Sequence, residues 1–530
     1  MTSTPSRRST PSTPSTPTSA SAPTSTSASK ATAYASGGPP PGLRELPPIA
    51  VAELDLDPDG PDGPVLSFGP APGGPPPGAG EIFALVRLRG RPIATVLGHV
   101  GADEDPAEVL TAVFRARKGP HGPPAPAEPT PAKPTYAAPT RAAPTPAEPV
   151  REAPVREAPA SEAPAPPVAV TAVTVPPRTT VVVATRERAG QLARALDSLL
   201  AQDHPDFRVL VVDNAPVTTA TRDLVESRYA GRVDYVQEPR PGLAVAHNSG
   251  VAAADGTVIA FTDDDVIADP HWLTALTTPF AADPGLGCVT GLILPARLTT
   301  SAQILLESHG GFAKGFEPRL YDPASPPADE PLFPFTAGSF GSGANMAFRA
   351  EALRAVGGFD PATGTGTPAR GGDDLYAFVR ILAEGHRLRY APEALVWHHH
   401  RETWQDLRNQ AYGYGAGLTA CLTAILVRHP ALLPALLAKL PRGLAHARAI
   451  TAHRPDPAGD PAPGTHGARA HPWPRDLSRL ERRGMLYGPL GYLRARIRVR
   501  RQAGGRAQPR GRAQPRGEER VRRRARGGRS

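Results

Sequence analysis

Three consecutive aspartates, Asp263, Asp264 and Asp265, end the apolar, β-forming run VIAFT at positions 258–262. Adjacent carboxylates repel, so a chain that keeps three together at a strand exit needs either a cation or open water there. Mg2+ or Mn2+ suits the first case, because hard ions take carboxylate oxygens and bridge to phosphate oxygens. Asp263 and Asp265 share one side of an extended turn. Another acid, Asp213, closes a second apolar run, FRVLVVDN at 207–214. An adjacent pair, Asp373 and Asp374, opens the helix-like segment DDLYAFVRILAEG. Neighbouring carboxylates disfavour joint ionisation, which can lift one pKa towards the range of a working general base. The same two acids also suit the first turn of a helix, where the dipole favours negative charge. His398, His399 and His400 follow the strand-like EALVW. His398 and His400 share a side if the strand persists, and neutral imidazole is a metal ligand; a solvated histidine is the alternative.

Such acids need a framework. From Arg178 the pattern alternates between strands and helices. TTVVVAT (179–185) has the character of a buried strand, and Leu192, Leu196, Leu199 and Leu200 then fall on one helical face. FRVLVVDN is the second strand, with a polar helix near 218–228, and VDYVQE is the third. A helix around 243–254 leads into TVIAFT, the fourth. This alternation predicts an α/β fold, a mostly parallel sheet with helices on both faces. Ligands of such sheets bind at the carboxyl ends of strands, which gathers Asp213 and Asp263–Asp265 into one cluster. Neither glycine-rich phosphate cradle follows the first strand, where the chain reads TRERAG. Phosphates bound here would need a carboxylate-held cation instead.

Six blocks now stand in order: VVVATRERAGQLARALDSLLAQ, VLVVDNAP, PGLAVAHNSGVAAADGTVIAFTDDD, GSGANMAFRAEALRAVGGFD, GGDDLYAFVRILAEGHRLRYAP and VWHHHR. Together they resemble family 2 glycosyltransferases over roughly residues 178–416. The resemblance implies the Rossmann-like GT-A fold and an inverting transfer of a sugar from a nucleotide-diphosphate donor to a hydroxyl, with a divalent metal. By the same resemblance Thr185, Arg186 and Glu187 form the nucleotide-contacting turn, and Asp213 bonds the nucleobase. Asp263 and Asp265 correspond to the D-x-D pair, Asp265 being the direct metal ligand, with Asp264 beside them on the donor. Asp374 takes the place of the base and Asp373 its neighbour. His398 and His400 become metal or diphosphate contacts, and Gly343 and Asn345 line the acceptor side. Two departures stand out. Ala246-His247-Asn248 replaces the family's frequent Ala-Arg-Asn at the donor diphosphate, and Asp373 replaces a glutamate.

The rest of the chain divides by composition. Residues 1–42 are a Ser/Thr/Pro/Ala tract without the apolar core of a signal peptide, expected to be a disordered tail. Residues 43–117 form a small α/β module of no evident purpose: EIFALVRLRGRPIATVLGHV reads as a hairpin, and DPAEVLTAVFRAR as a helix capped by Asp105. Residues 118–177 are a Pro/Ala-rich linker. Residues 417–500 read as short helical segments interrupted by Pro430, Pro434 and Pro441, packing on the catalytic domain or lying on a membrane surface. Residues 501–530 hold eleven arginines against two glutamates, which equals the whole net charge of +9 and marks a disordered tail.

Two cysteines, Cys288 and Cys421, make neither a disulfide framework nor a metal motif. The longest apolar run, residues 417–427, falls short of the roughly 20 residues a spanning helix needs. The expectation is a metal-dependent (Mn2+ or Mg2+) hexosyl or deoxyhexosyl transferase in the cytoplasm. Its partners would be a nucleotide-sugar donor and a glycan, lipid-linked or small-molecule acceptor. The C-terminal segments would make peripheral contact with anionic membrane at its inner face. Alternatives are a catalytically inactive scaffold that binds nucleotide sugar or glycan and an RNA-binding protein acting through its tail, although no specific nucleic acid is expected.

Overall fold

A computed structural model of the chain describes residues 45–57, 64–118, 175–309, 311–439, 441–442 and 473–505. The N-terminal tract, nearly all of the linker and the tail beyond 505 lie outside these residues.

The first sheet contains β1 (Ala50–Leu56), β2 (Val65–Pro70), β3 (Gly80–Leu88) and β4 (Arg91–Val100), in the order β2-β1-β3-β4. β3 and β4 are the hairpin read from the sequence. It turns through Arg89 and Gly90, both at positive φ (47° and 82°), the twist that suits a two-residue hairpin loop. Helix α1 (Pro106–Lys118) begins where Asp105 accepts a hydrogen bond from the Ala107 N–H at 2.8 Å. Leu110 and Phe114 of α1 pack on Leu54, Ile82 and Val96.

The catalytic region follows in chain order as β5 (Thr179–Thr185), α2 (Ala189–Leu199), β6 (Phe207–Asn214), α3 (Ala220–Arg228), β7 (Val233–Glu238), α4 (Leu243–Ala253) and β8 (Val258–Asp263). It continues through β9 (Val266–Ala268), α5 (Trp272–Ala282), β10 (Leu286–Pro295), α6 (Ser301–Ser308), β11 (Arg319–Tyr321), β12 (Asn345–Arg349) and α7 (Ala350–Ala355). Then come α8 (Asp373–Ala383), β13 (Arg387–His398), α9 (Trp404–Arg428) and α10 (Arg475–Gly505). The sheet runs β11-β13-β10-β12-β8-β5-β6-β7, with β9 paired to β13. β7, β6, β5 and β8 run parallel to one another, and β12 lies antiparallel between β8 and β10. That is the expected α/β class, and the GT-A arrangement. Leu192, Leu196 and Leu199 of α2 join Trp272 and Leu276 of α5 on one face of the sheet. Ala244 and Val251 of α4 join Tyr376 and Phe378 of α8 on the other. All ten residues of β10 are buried, as a strand covered on both faces requires.

Two readings need correction. The boundary drawn at 416 falls inside α9, a helix of 25 residues, because no proline interrupts the chain between Trp404 and Arg428. The boundary at 500 falls inside α10, a helix of 31 residues that packs along α9 and runs to Gly505. Glycines let the two backbones meet: a Cβ on Gly484 would lie 2.1 Å from the Tyr412 carbonyl oxygen, and one on Gly415 would lie 2.0 Å from that of Glu481.

Candidate active site

Strand register collects the acids. Thr185 pairs with Asp213 across β5 and β6, and Ala184 pairs with Asp263 across β5 and β8, so both acids stand at the same carboxyl end. On β10 and β13, Pro295 pairs with His398, which brings the histidines alongside. Ligand atoms of Asp263, Asp265 and His398 lie within 4.8 Å of one another. Burial, followed by the charges of Asp265 and Asp264, pushes the Asp263 carboxyl well above its ordinary range. Burial also raises Asp264, against the opposing charge of Arg188. Asp265 behaves differently. Burial works against its charge, yet its pKa is lowered, because His398, charged only in the acid range where this carboxyl titrates, and the Arg401 and Arg188 guanidiniums favour the carboxylate.

A chain of three side chains backs this cluster. Glu307 and His400 are both buried, and the Glu307 Oε2 lies 3.1 Å from the His400 Nε2. The His400 Nδ1 lies 3.0 Å from the His398 Nδ1. If Glu307 accepts the Nε2–H of a singly protonated His400, the His400 Nδ1 must accept from His398. The His398 Nε2 then carries a lone pair, 3.4 Å from the Asp265 Oδ1. Burial takes the His398 pKa down to about 4, so the ring is neutral at pH 7. A lone pair facing a carboxylate is repulsive unless a cation lies between them, and two carboxylates with one imidazole make a donor set that takes a divalent ion. The residues present therefore fit a divalent ion. His400 lies behind that set, a correction to its reading as a ligand.

The acidic pair stands at the N-terminus of α8. Gly372, at φ 84°, turns the chain into the helix. Asp374 Oδ2 accepts the Gly343 N–H at 3.0 Å. Burial, with the Asp373 charge second, raises the Asp374 carboxyl to about 6, against bonds from the Leu375 and Gly343 N–H groups. The dipole effect is thus outweighed. The Asp374–Gly343 bond sets the pair beside the start of β12, where Asn345 pairs with Thr262 next to the triplet, and the Asp373 charge contributes to raising Asp263. Lys314 and Tyr414, both exposed, lie within electrostatic reach of Asp374.

Several other predicted site residues have tasks inside the fold. His247 is buried between the Phe261 and Phe359 rings, with its Nδ1 3.3 Å from the Asp373 Oδ2. It faces the acidic pair and offers no exposed surface to a diphosphate. Asn248 spends its amide on Phe359, donating to the carbonyl at 2.8 Å and accepting the N–H at 2.9 Å. Asn345 is fully buried: it accepts from the Trp272 indole and donates to the Leu292 and Ala394 carbonyls, next to the register shift after Gly291. Neither asparagine is free to line a ligand. Thr185 donates its hydroxyl to Asp264 at 2.7 Å. Glu187, at φ 56°, accepts from the Val217 and Thr218 N–H groups and the Thr218 hydroxyl, which lower its pKa. Arg186 is exposed at the same strand exit.

Asp213 keeps one oxygen in reserve. Its Oδ2 accepts the Tyr235 hydroxyl at 2.8 Å, while its buried Oδ1 has no hydrogen-bond partner. Burial pushes its carboxyl up, against the Tyr235 bond. A cavity of about 330 Å³ opens beside it, lined by Thr218, Arg222, Tyr235 and Gln237 among others. Arg188 was not singled out from the sequence, although it lies in the quoted first block. It donates from Nη1 to Asp264 at 3.0 Å and to Asp265 at 3.2 Å. Arg401 stands 3.7 Å from Asp265. Both guanidiniums lie against the aspartate triplet, whereas His247 lies against Asp373.

The sheet with its acids at the carboxyl edge has the GT-A arrangement. Residues 176–412 match the family model described as glycosyltransferase like family 2. The pre-mycofactocin glycosyltransferase of Mycobacterium tuberculosis is 30% identical over 254 residues, 47% of this chain and 48% of the relative. The glucosyl-dolichyl phosphate glucuronosyltransferase of Haloferax volcanii is 23% identical over 226 residues, 40% of this chain and 65% of the relative. The chain thus spans about half the length of the first of these curated relatives and under two thirds of the second. A solved mannosyltransferase from Pyrobaculum calidifontis, in complex with GDP-Man and Mn2+, is 20% identical and covers 63% of this chain and 77% of its own. Its TM-score is 0.34, too loose a likeness to inform the site.

Proposed function

We propose that this chain is a metal-dependent, inverting glycosyltransferase. It moves a hexosyl or deoxyhexosyl group from a nucleotide-diphosphate donor to a hydroxyl of a glycan, lipid-linked or small-molecule acceptor, in the cytoplasm or at the inner face of the membrane. The observation that carries this reading is the gathering of Asp213, Asp263–Asp265 and Asp373–Asp374 at one end of the sheet, with the Asp374 carboxyl at about 6. The unpartnered Asp213 Oδ1 accepts a nucleobase N–H. Asp263, Asp265 and His398 hold Mn2+ or Mg2+, which when bound would offset the negative charge of the departing nucleoside diphosphate. Arg188 and Arg401 add fixed positive charge beside it. Asp374 takes the acceptor's hydroxyl proton as the new glycosidic bond forms on the face opposite the leaving group. Asp373 and His247 position it from behind.

The test is thermal stability with UDP, GDP or dTDP, each with and without Mn2+. Binding at a hundred times Kd adds about 2.7 kcal/mol of stability, and the shift is expected only with metal present. Asp374→Asn keeps that shift and lowers transfer by roughly 10²–10⁴-fold. Wild-type transfer rises with pH through about 6 as the base ionises. Stability moves the other way: a carboxyl whose folded pKa is raised stabilises the fold at low pH, and that contribution is lost as pH rises through about 6. Asp374→Asn is therefore at least as stable as wild type at pH 8. No shift with any nucleotide would overturn the reading, and undiminished transfer by Asp374→Asn would overturn the base assignment alone.

A further inference from the structure

We propose that α10 is a contact surface for anionic membrane, laying an apolar stripe into the interface with arginines on the headgroup phosphates. One face of this helix is internal: Leu477, Gly484, Gly488, Gly491, Tyr492 and Ala495 are buried against α9 and the core. The opposite face is not. Leu486, Leu490, Leu493 and Ile497 are 84%, 46%, 45% and 52% exposed. Their spacing, i, i+4, i+7 and i+11, aligns them as one stripe. Exposed single leucines are ordinary, but an aligned row of four is the apolar face of an amphipathic helix whose other side is already occupied.

Charge selects the partner. Arg482, Arg483, Arg494, Arg496, Arg498, Arg500 and Arg501 lie on the same helix, and no acid occurs between Glu481 and Glu518. Arg494, Arg498 and Arg501 line an open groove of about 480 Å³ together with Ile497, so guanidinium and aliphatic groups share one surface. Nucleic acid would answer the arginines but gains nothing from four aliphatic side chains. A second copy would answer the stripe but would set these arginines against their own equivalents. Residues 506–530 carry Val521 as their single large aliphatic side chain, so they cannot cover the stripe. An anionic bilayer answers both features. Among the described residues no single helix is long and apolar enough to cross a membrane, and the pair Trp404–Arg428 and Pro430–Lys439 that passes together is bent by 110°. The contact is accordingly interfacial. It stands apart from the glycosyl-transfer reading, since lipid contact needs no donor or metal.

The experiment is flotation of the full chain with vesicles of phosphatidylcholine alone or mixed with phosphatidylglycerol. The wild type is expected to float with the mixed vesicles only. A Leu490→Ser/Leu493→Ser/Ile497→Ser variant, altered only at exposed positions, should keep its melting temperature and lose about tenfold or more of its partitioning. A chain ending at 505 keeps Arg482 through Arg501 and should retain both its preference for anionic vesicles and its sensitivity to salt. Three results would overturn the proposal: no preference for anionic vesicles, equal flotation of the triple variant, or full displacement of the wild type from vesicles by duplex RNA.

Discussion

At the scale of single residues, Glu307 shows how a site can depend on a group that never touches a ligand. Its Oε2 fixes which nitrogen of His400 carries hydrogen, and His400 in turn fixes His398. Outer partners of this kind typically alter metal affinity by about 10–100-fold. Glu307→Leu should therefore weaken Mn2+ binding by about that factor, read directly by electron paramagnetic resonance of the free ion. Glu307→Gln, which keeps an acceptor oxygen, should lose less. Two-bond proton–nitrogen spectra of the metal-free protein supply a second readout: the His398 Nε2 should resonate as an unprotonated nitrogen in the wild type and become mixed in Glu307→Leu. Equal Mn2+ affinity in all three proteins would show that the histidines need no such support. The histidine run was legible from the sequence and Glu307 was not, because 93 residues separate the partners and the segment around Glu307 carries no motif. His247, Asn248 and Asn345 erred in the opposite direction. Their residue types suit a ligand, but burial gives their polar atoms to Asp373, Phe359 and a sheet irregularity.

At the scale of elements, strand and helix periodicity was readable wherever apolar residues recurred regularly, and the parallel strands and their crossovers followed from it. α9 was not readable in full. Its run AYGYGAGL contains three glycines, each costing a helix about 1 kcal/mol relative to alanine, so local preference argues for a break. Tertiary contact explains their presence. A Cβ on Gly372, just before Asp373 and Asp374, would lie 2.4 Å from the Gly417 carbonyl oxygen, so α9 supports the start of α8 by direct backbone contact. Along α10, a Cβ on Gly488 would lie 2.0 Å from the Thr419 Oγ1 and 2.4 Å from the Ala416 carbonyl oxygen. Gly488→Ala should destabilise the protein by about 1–3 kcal/mol, as overpacking does. Gly190→Ala in α2, where a Cβ meets nothing within 4 Å, should stabilise it by about 0.5–1 kcal/mol. Opposite signs in chemical denaturation would confirm that contact, not propensity, sets the glycines of α9 and α10. Stabilisation by both would remove the close-approach argument.

At the scale of the whole molecule, the N-terminal module and the catalytic region share one core. Ile49 bridges to Leu298, and Val51, Phe83 and Leu85 pack with Leu292, Leu294 and Trp397 at the strands that lead to His398. The hairpin within the module was legible, but its docking was not, since alternation marks which face is apolar and not what covers it. A buried ion pair marks the seam, beside the more exposed pair of Arg91 and Glu393 at 3.2 Å. Arg87 is buried and donates to Glu53 at 2.7 Å, to the Gly90 carbonyl at 2.9 Å and to Asp269 at 2.6 Å, a partner 182 residues away. Asp269 also accepts the His271 N–H ahead of α5. Breaking a buried pair from one side leaves the other charge without compensation, so Arg87→Met should cost about 3–5 kcal/mol. Removing the more deeply buried of its two acid partners as well, in Arg87→Met/Asp269→Asn, should restore part of that loss, since the asparagine oxygen can still accept from His271 and Glu53 reaches solvent. If the module were an independent attachment, Arg87→Met would lower its own unfolding transition and leave that of the catalytic region in place. A shared core requires both to fall together, with Mn2+-dependent nucleotide binding lost at the same temperature.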